Sequence, residues 1–226
     1  MNYIIKHIDK FHPNRPCIPL QSIKAIVIHY TQNDMPQADA VFHYKYLNRP
    51  YVTKINDQQK KLFFEKDGIT PFRYGSAHIF CDMNNIVETI PLNEVAWSCG
   101  DKNYKGGYKP IAYNIFQKKQ NYQTINVEIC NNDIIKKSQI DWQGAVENAK
   151  LFIKDYLRKN NLKIDIEKSL NPQIVKPIEL KENNILLLRH FDITGKICPK
   201  PFIDSIEEWQ NFIKSFTLNA KESPLL

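Results

Sequence analysis

No apolar run in the 226-residue chain approaches the roughly 18 residues that cross a bilayer, which excludes a helical membrane anchor within this stretch. There is no CxxC pair either. The five cysteines, Cys17, Cys81, Cys99, Cys130 and Cys198, are odd in number and far apart, which argues against a disulfide framework and for a reducing compartment. The N-terminal "MNYIIKHIDKFHPNRP" interrupts its short apolar start with charge and has no small-residue cleavage site, so a secretory leader is not expected. Repeats, low-complexity tracts and a linker to a second domain are all lacking. The lysines behind the formal charge of +7 are scattered and form no basic arm interleaved with aromatics, so a nucleic-acid groove reader is not expected, although an anionic partner is.

What is present fits one folded domain: 42% hydrophobic and 12% aromatic residues, with enough length for a substantial core. "IKAIVIHY" at 23–30 is a β-branched apolar run, the pattern of a strand buried on both faces, and His29 lies near its end. A helix should follow, beginning near Asp34 and Pro36, running through Ala38, Val41, Phe42 and Lys45, and stopping before Pro50. Residues 51–72 have no sustained period and read as an inserted excursion. "SAHIFCD" and "NIVETIPL" flank a short polar connection and predict a hairpin. In "QTINVEICNN", Ile125, Val127 and Ile129 alternate with Asn126, Glu128 and Cys130, which places an acid on a strand opposite its apolar row.

From Asp141 the spacing of Trp142, Ala145, Val146, Ala149, Phe152, Ile153, Tyr156 and Leu157 predicts a core-packed helix. Residues 160–184 read as a second insertion. "NILLLRH" predicts a short buried strand that delivers His190. A closing helix starts at a Ser205/Glu208 capping box and should bury Ile206, Trp209, Phe212, Ile213 and Phe216. Strands alternating with helices, with one hairpin among them, imply an α/β fold with a central mixed sheet flanked by helices.

His29 and His190 both end apolar strands, where a sheet edge can present side chains to one cleft. Cys198 can return beside His190 because the intervening "FDITGKI" contains Gly195. Three such donors leave a fourth position for water, the pattern of an open zinc site. Taken singly, a histidine at a strand end is more often a hydrogen-bonded structural residue, and a lone cysteine a small hydrophobe. Asp192 competes with Cys198 as third ligand. Cys81, Cys99 and Cys130 read as ordinary buried thiols.

"IVIHYTQN", "SAHIFCD", "VETIPLNEVAWSCGD", "NVEICNN" and "RHFDITGKICPKPF" follow one another as in the zinc-dependent N-acetylmuramoyl-L-alanine amidases of the second type. That family includes phage endolysins and bacterial autolysins and is related to the peptidoglycan-recognition proteins. The resemblance spans nearly the whole chain and implies one amidase catalytic domain over 1–226, with no separate wall-binding domain. It implies His29, His190 and Cys198 as ligands of one Zn2+, Glu128 as general acid/base, and Lys196 as the cation facing the scissile amide. His78, Trp97 and Thr31 are candidates for contact with substrate or for support of the ligands. His78 reads more readily as a structural residue or one that supports the ligands than as one that reaches the cleft, and Trp97 as packing rather than a sugar platform.

The chain departs from the pattern it resembles at Ser98, where many members of that family have a histidine, and at Ala77, where some phage members have a catalytic tyrosine. The resemblance implies hydrolysis of the bond between N-acetylmuramic acid and L-alanine in peptidoglycan, as a phage or prophage endolysin. The expected partners are the glycan strand with its stem peptide and anionic wall polymers. Neither membrane nor nucleic acid is expected, and the chain should act as a monomer. Synthesis would be cytoplasmic, with holin-type release to the wall. Two other readings remain: a recognition module that binds muropeptides without cutting, and a cytosolic recycling amidase.

Overall fold

The computed structural model describes residues 1–10, 12–33, 35, 37–49, 75–100, 107–130, 142–176 and 179–217. Among the described residues seven strands form one sheet: β1 (Asn2–Ile5), β2 (Ala25–Tyr30), β3 (Ile79–Cys81), β4 (Asn85–Glu88), β5 (Thr124–Ile129), β6 (Lys163–Ile164) and β7 (Asn184–Arg189). Their order across the sheet is β1-β4-β3-β5-β2-β7-β6. Every neighbouring pair is parallel except the β3/β4 hairpin, so the sheet is mixed, as the alternating pattern predicts. β2 is buried at all six positions because it lies between β5 and β7 with both of its faces covered.

The helices are α1 (Ala40–Leu47), α2 (Pro110–Asn114), α3 (Trp142–Lys159), α4 (Ile166–Leu170), α5 (His190–Thr194), α6 (Lys200–Asp204) and α7 (Ile206–Lys214). One face of the sheet presents Ile26, Ile28, Ile125, Val127, Ile129, Ile185 and Leu187. It is sealed by Phe152, Ile153 and Tyr156 of α3, Phe202 of α6, and Trp209 and Phe212 of α7. On the opposite face Ala25, Val27, Leu186 and Leu188 pack against Ile111 and Ala112 of α2 and Ile193 of α5. Further along the sheet, Ala40 of α1 meets Phe80 and Val87.

α1 starts later than its sequence pattern suggests. Asp39, in extended conformation, accepts a hydrogen bond from the Phe42 N–H at 2.6 Å and is the N-cap, so the helix opens at Ala40; Asp34 and Pro36 lie outside the described residues. The buried carboxylate of Asp82 joins this start to the hairpin. Its Oδ2 accepts from the Ala40 N–H at 3.0 Å, and its Oδ1 from the Asn84 and Asn85 N–H groups, both at 2.7 Å.

α7 is capped by Ser205, whose Oγ accepts from the Glu208 N–H at 3.2 Å, and buries Trp209, Phe212 and Ile213. Ile206, expected in the core, is 54% exposed. It is the first residue of the helix, and its side chain tilts back past the helix end, where no neighbouring turn receives it. The stretch 160–184 contains β6, which extends the sheet beside β7, and α4, whose Ser169 Oγ accepts from the Leu187 N–H at 2.9 Å. Residues 51–72 lie outside the described residues.

Candidate metal centre and active site

The parallel register places His29 of β2 directly beside Glu128 of β5, and Ile28 beside Arg189 at the end of β7. Neighbouring strands in register point equivalent side chains to the same face. His29 and Glu128 therefore emerge together at the carboxyl ends of the strands, on the α2/α5 side. β7 ends one residue before His190, which opens α5, so the second histidine reaches the same edge.

Gly195 closes α5 in the left-handed region at φ +80°, and a Cβ there would meet Lys109 Cε at 3.1 Å. The turn brings the chain back, and the Phe191 N–H donates to the Cys198 carbonyl at 2.9 Å. Cys198 Sγ comes to 3.9 Å from His29 Nδ1, and His29 Nδ1 lies 3.1 Å from His190 Nδ1. All three donor atoms fall within 4.8 Å of one another, and all three residues are buried. Asp192 is engaged elsewhere: Arg189 donates to it from its backbone N–H and guanidinium, each at 2.8 Å, so the carboxylate caps α5.

These residues fit a tetrahedral metal. With nitrogen about 2.0 Å and sulfur about 2.3 Å from a zinc, donor atoms would stand roughly 3.3 and 3.6 Å apart, against 3.1 Å for the His29–His190 pair and 3.9 Å for the His29–Cys198 pair. Burial, reinforced by Lys196, lowers the His190 pKa to about 3, so its imidazole is neutral and a lone-pair donor. The donor set of two imidazoles and one thiol suits zinc.

Glu128 stands beside this cluster. Burial raises its pKa to about 7, an effect opposed by the positive charge of Lys196, and its inaccessible Oε2 has no hydrogen-bond partner among the described residues. A carboxylate held this way is poised to exchange a proton near neutrality. Lys196 follows the turn at Gly195 and acts electrostatically on both Glu128 and His190.

The remaining candidates sit further back. His78 is fully buried with both nitrogens committed: Nδ1 accepts from the Asn126 N–H and Nε2 donates to the Glu94 carbonyl, each at 2.9 Å. Burial lowers its pKa to about 4, so it is neutral. The half-buried Trp97 packs edge-to-face on Tyr122 with ring centroids 6.1 Å apart, and the Thr31 N–H continues the β2/β5 ladder to the Ile129 carbonyl at 3.1 Å. Ser98 donates its hydroxyl to the Ser76 carbonyl at 2.6 Å, and Ala77 is buried. Sequence reasoning missed Asn126 and Cys99, which lie behind His29. Asn126 Oδ1 is 3.1 Å from His29 Nε2 and accepts from Cys99 Sγ at 3.2 Å. The available signal was a polar side chain on the second face of a strand buried on both.

The profile of the N-acetylmuramoyl-L-alanine amidase family, Amidase_2, matches residues 19–201, a span that contains all of these residues. The chain belongs to this family. It is 29% identical over 214 residues to N-acetylmuramoyl-L-alanine amidase CwlL of Bacillus licheniformis, a match covering 93% of this chain and 46% of that protein. N-acetylmuramoyl-L-alanine amidase BlyA of Bacillus subtilis (strain 168) is 27% identical over 202 residues, covering 88% and 42%. The chain thus spans less than half the length of these amidases. A mutant endolysin from Bacillus subtilis superposes with a TM-score of 0.60 at 25% identity, over 94% of this chain and 99% of that one. PlyL shares the fold, with a TM-score of 0.60 at 21% identity over 98% and 100%. No helix among the described residues is long and apolar enough to cross a membrane.

Proposed function

We propose that the chain hydrolyses the amide joining the lactyl group of N-acetylmuramic acid to L-alanine of the stem peptide, with His29, His190 and Cys198 holding one Zn2+. The observation that carries this reading is the convergence of three buried donors from distant parts of the sequence beside a carboxylate whose pKa is raised toward neutrality. Membership of the amidase family supports it.

Amide hydrolysis is slow because water is a weak nucleophile, the oxyanion is costly and an amine leaves badly. Zinc bound by three protein ligands supplies a Lewis acid and lowers the pKa of water to about 7. Glu128 takes the proton of the attacking water and delivers it to the departing nitrogen, so one group serves as base and then as acid. Lys196 faces the developing oxyanion and stabilises it in a site largely closed to solvent. His78 supports the strand behind the ligands, and Trp97 and Thr31 are assigned to contact with the wall polymer.

The relatives support a phage or prophage lysin acting on the cell wall; in this reading it is made in the cytoplasm and reaches the wall after release, and its net charge of +7 favours anionic wall polymers. Purified sacculi test the whole reading. The expected result is release of new N-terminal alanine from intact wall. Release from soluble muropeptides alone would indicate a recycling enzyme, and binding without release a recognition module; either result would sink the lysin reading.

A further inference from the structure

Behind the metal-facing edge of His29 runs a buried chain of hydrogen bonds whose direction is set at its far end. The Thr124 hydroxyl donates to the Gln120 carbonyl at 2.8 Å, which leaves its oxygen lone pairs as acceptors. Asn126 Nδ2 donates to that hydroxyl at 3.2 Å and to the Thr124 carbonyl at 3.4 Å. The amide cannot be reversed without setting its oxygen against a carbonyl oxygen, so Oδ1 faces His29. There it is an acceptor only. The Cys99 thiol donates to the same oxygen at 3.2 Å, and His29 Nε2 approaches it at 3.1 Å. An acceptor at that position requires the proton of neutral His29 on Nε2, which leaves the Nδ1 lone pair directed at His190 and Cys198. Gln120, whose Nε2 donates to the Cys99 carbonyl at 2.7 Å, closes the network from the other side. Gln120, Thr124, Asn126, Cys99 and His29 are all buried, so bulk water does not compete for these bonds.

We infer that Asn126 is a positioning residue that fixes the tautomer of His29, with Cys99 and Thr124 holding its amide in the required orientation, so that the metal edge is ready before any ion arrives. The inference rests on the proposed metal centre. In this arrangement Cys99, though a soft sulfur close to a ligand ring, sits on the far side of His29 and acts as a hydrogen-bond donor. Outer partners of this kind orient the ligand ring and raise its basicity, and their removal typically costs 10–100-fold in metal affinity.

The test uses protein labelled with 15N-histidine, stripped of metal, with His29 signals assigned by their loss in His29→Gln. Long-range proton–nitrogen correlation should show His29 protonated on Nε2 in the metal-free wild type. Competition with a chromophoric chelator should then show that Asn126→Leu binds zinc about 10–100-fold more weakly. Asn126→Asp, which keeps an acceptor facing Nε2 but sets its second oxygen toward the Thr124 carbonyl, should recover part of that loss. A wild-type His29 carrying its proton on Nδ1 would overturn the inference without need of any variant. So would a folded Asn126→Leu protein that holds zinc as tightly as wild type. Should Asn126→Leu fail to fold, the wild-type tautomer decides, a Nδ1-protonated ring counting against the inference. Wild type that takes up no zinc at all would instead remove the metal centre beneath the inference, an outcome distinct from binding that ignores position 126.

Discussion

Along β5, Ile125, Val127 and Ile129 point to one face of the sheet, while Thr124, Asn126 and Glu128 point to the other. The first row meets the aromatic side chains of α3, α6 and α7 and is covered by hydrophobic residues. The second row is just as hidden at Thr124 and Asn126, yet each of its polar groups has a specific hydrogen-bond partner until Glu128, whose Oε2 has none among the described residues. One strand therefore carries two kinds of interior, one residue out of step. The apolar interior supplies cohesion and tolerates exchange of one hydrocarbon for another. The polar interior is specified atom by atom, because an unpaired buried polar group costs more than a lost contact.

Substitutions on each face should separate these roles. The largest effect is expected at the metal edge: Cys198→Ser should lose zinc and hydrolysis together, by more than the 10–100-fold of an outer partner. Metal content and turnover measured on the same preparation check it, and a metal-loaded, active serine variant would break the contrast between the faces.

Next comes Glu128→Gln, expected to retain zinc while turnover falls about 10²–10⁴-fold. The same variant probes stability. Because folding raises the pKa of this carboxyl to about 7, the folded chain binds its proton more tightly than the unfolded chain does. The resulting stabilisation is complete below the ordinary carboxylate value and is lost as pH climbs through about 7. Metal-free Glu128→Gln should therefore melt higher than wild type at pH 8 and equally at pH 4, by about 2–4 °C for each kcal/mol relieved. In the zinc-loaded enzyme the acid limb of kcat/KM should fall at or below pH 7, since a nearby cation favours the ionised form.

On the other face, Phe152→Ala should cost about 3–5 kcal/mol of stability while leaving turnover per folded molecule unchanged. Denaturant midpoints and active-site titration distinguish the two. The smallest effect belongs to Ile206→Ser, within about 0.5 kcal/mol, because that side chain lies outside the core. A large loss there would return it to the interior that its helical spacing suggested.

Much of this was legible in the sequence for a physical reason. Alternation along 124–129 and the period of 142–157 report directly which side chains face carbon, so β5 and α3 follow from pattern alone. His29 and His190 were readable as strand-end residues for the same reason. Features that depend on a neighbour distant in sequence were not. Asp39 rather than Asp34 caps α1, in a start that is also tied to Asp82 some forty residues away. Cys99 looks like any buried thiol until β2 and β5 are set in register. Asn126 was seen to share a face with Glu128, but its partner could be known only once His29 stood beside it. Ile206 misled because helical spacing marks a face and says nothing of where the helix begins.

β2 and β7, neighbours at the centre of the sheet, are separated by more than 150 residues of chain. During synthesis, a nascent polypeptide that has emerged as far as Leu180 has exposed β2 and β5 and still lacks both His190 and Cys198. Pairing across so long a loop is also slow to nucleate. Translation order thus acts as a timer: the donor triad cannot close until Cys198 has left the ribosome, and a product cut short before His190 keeps one of the two ligand histidines but no centre.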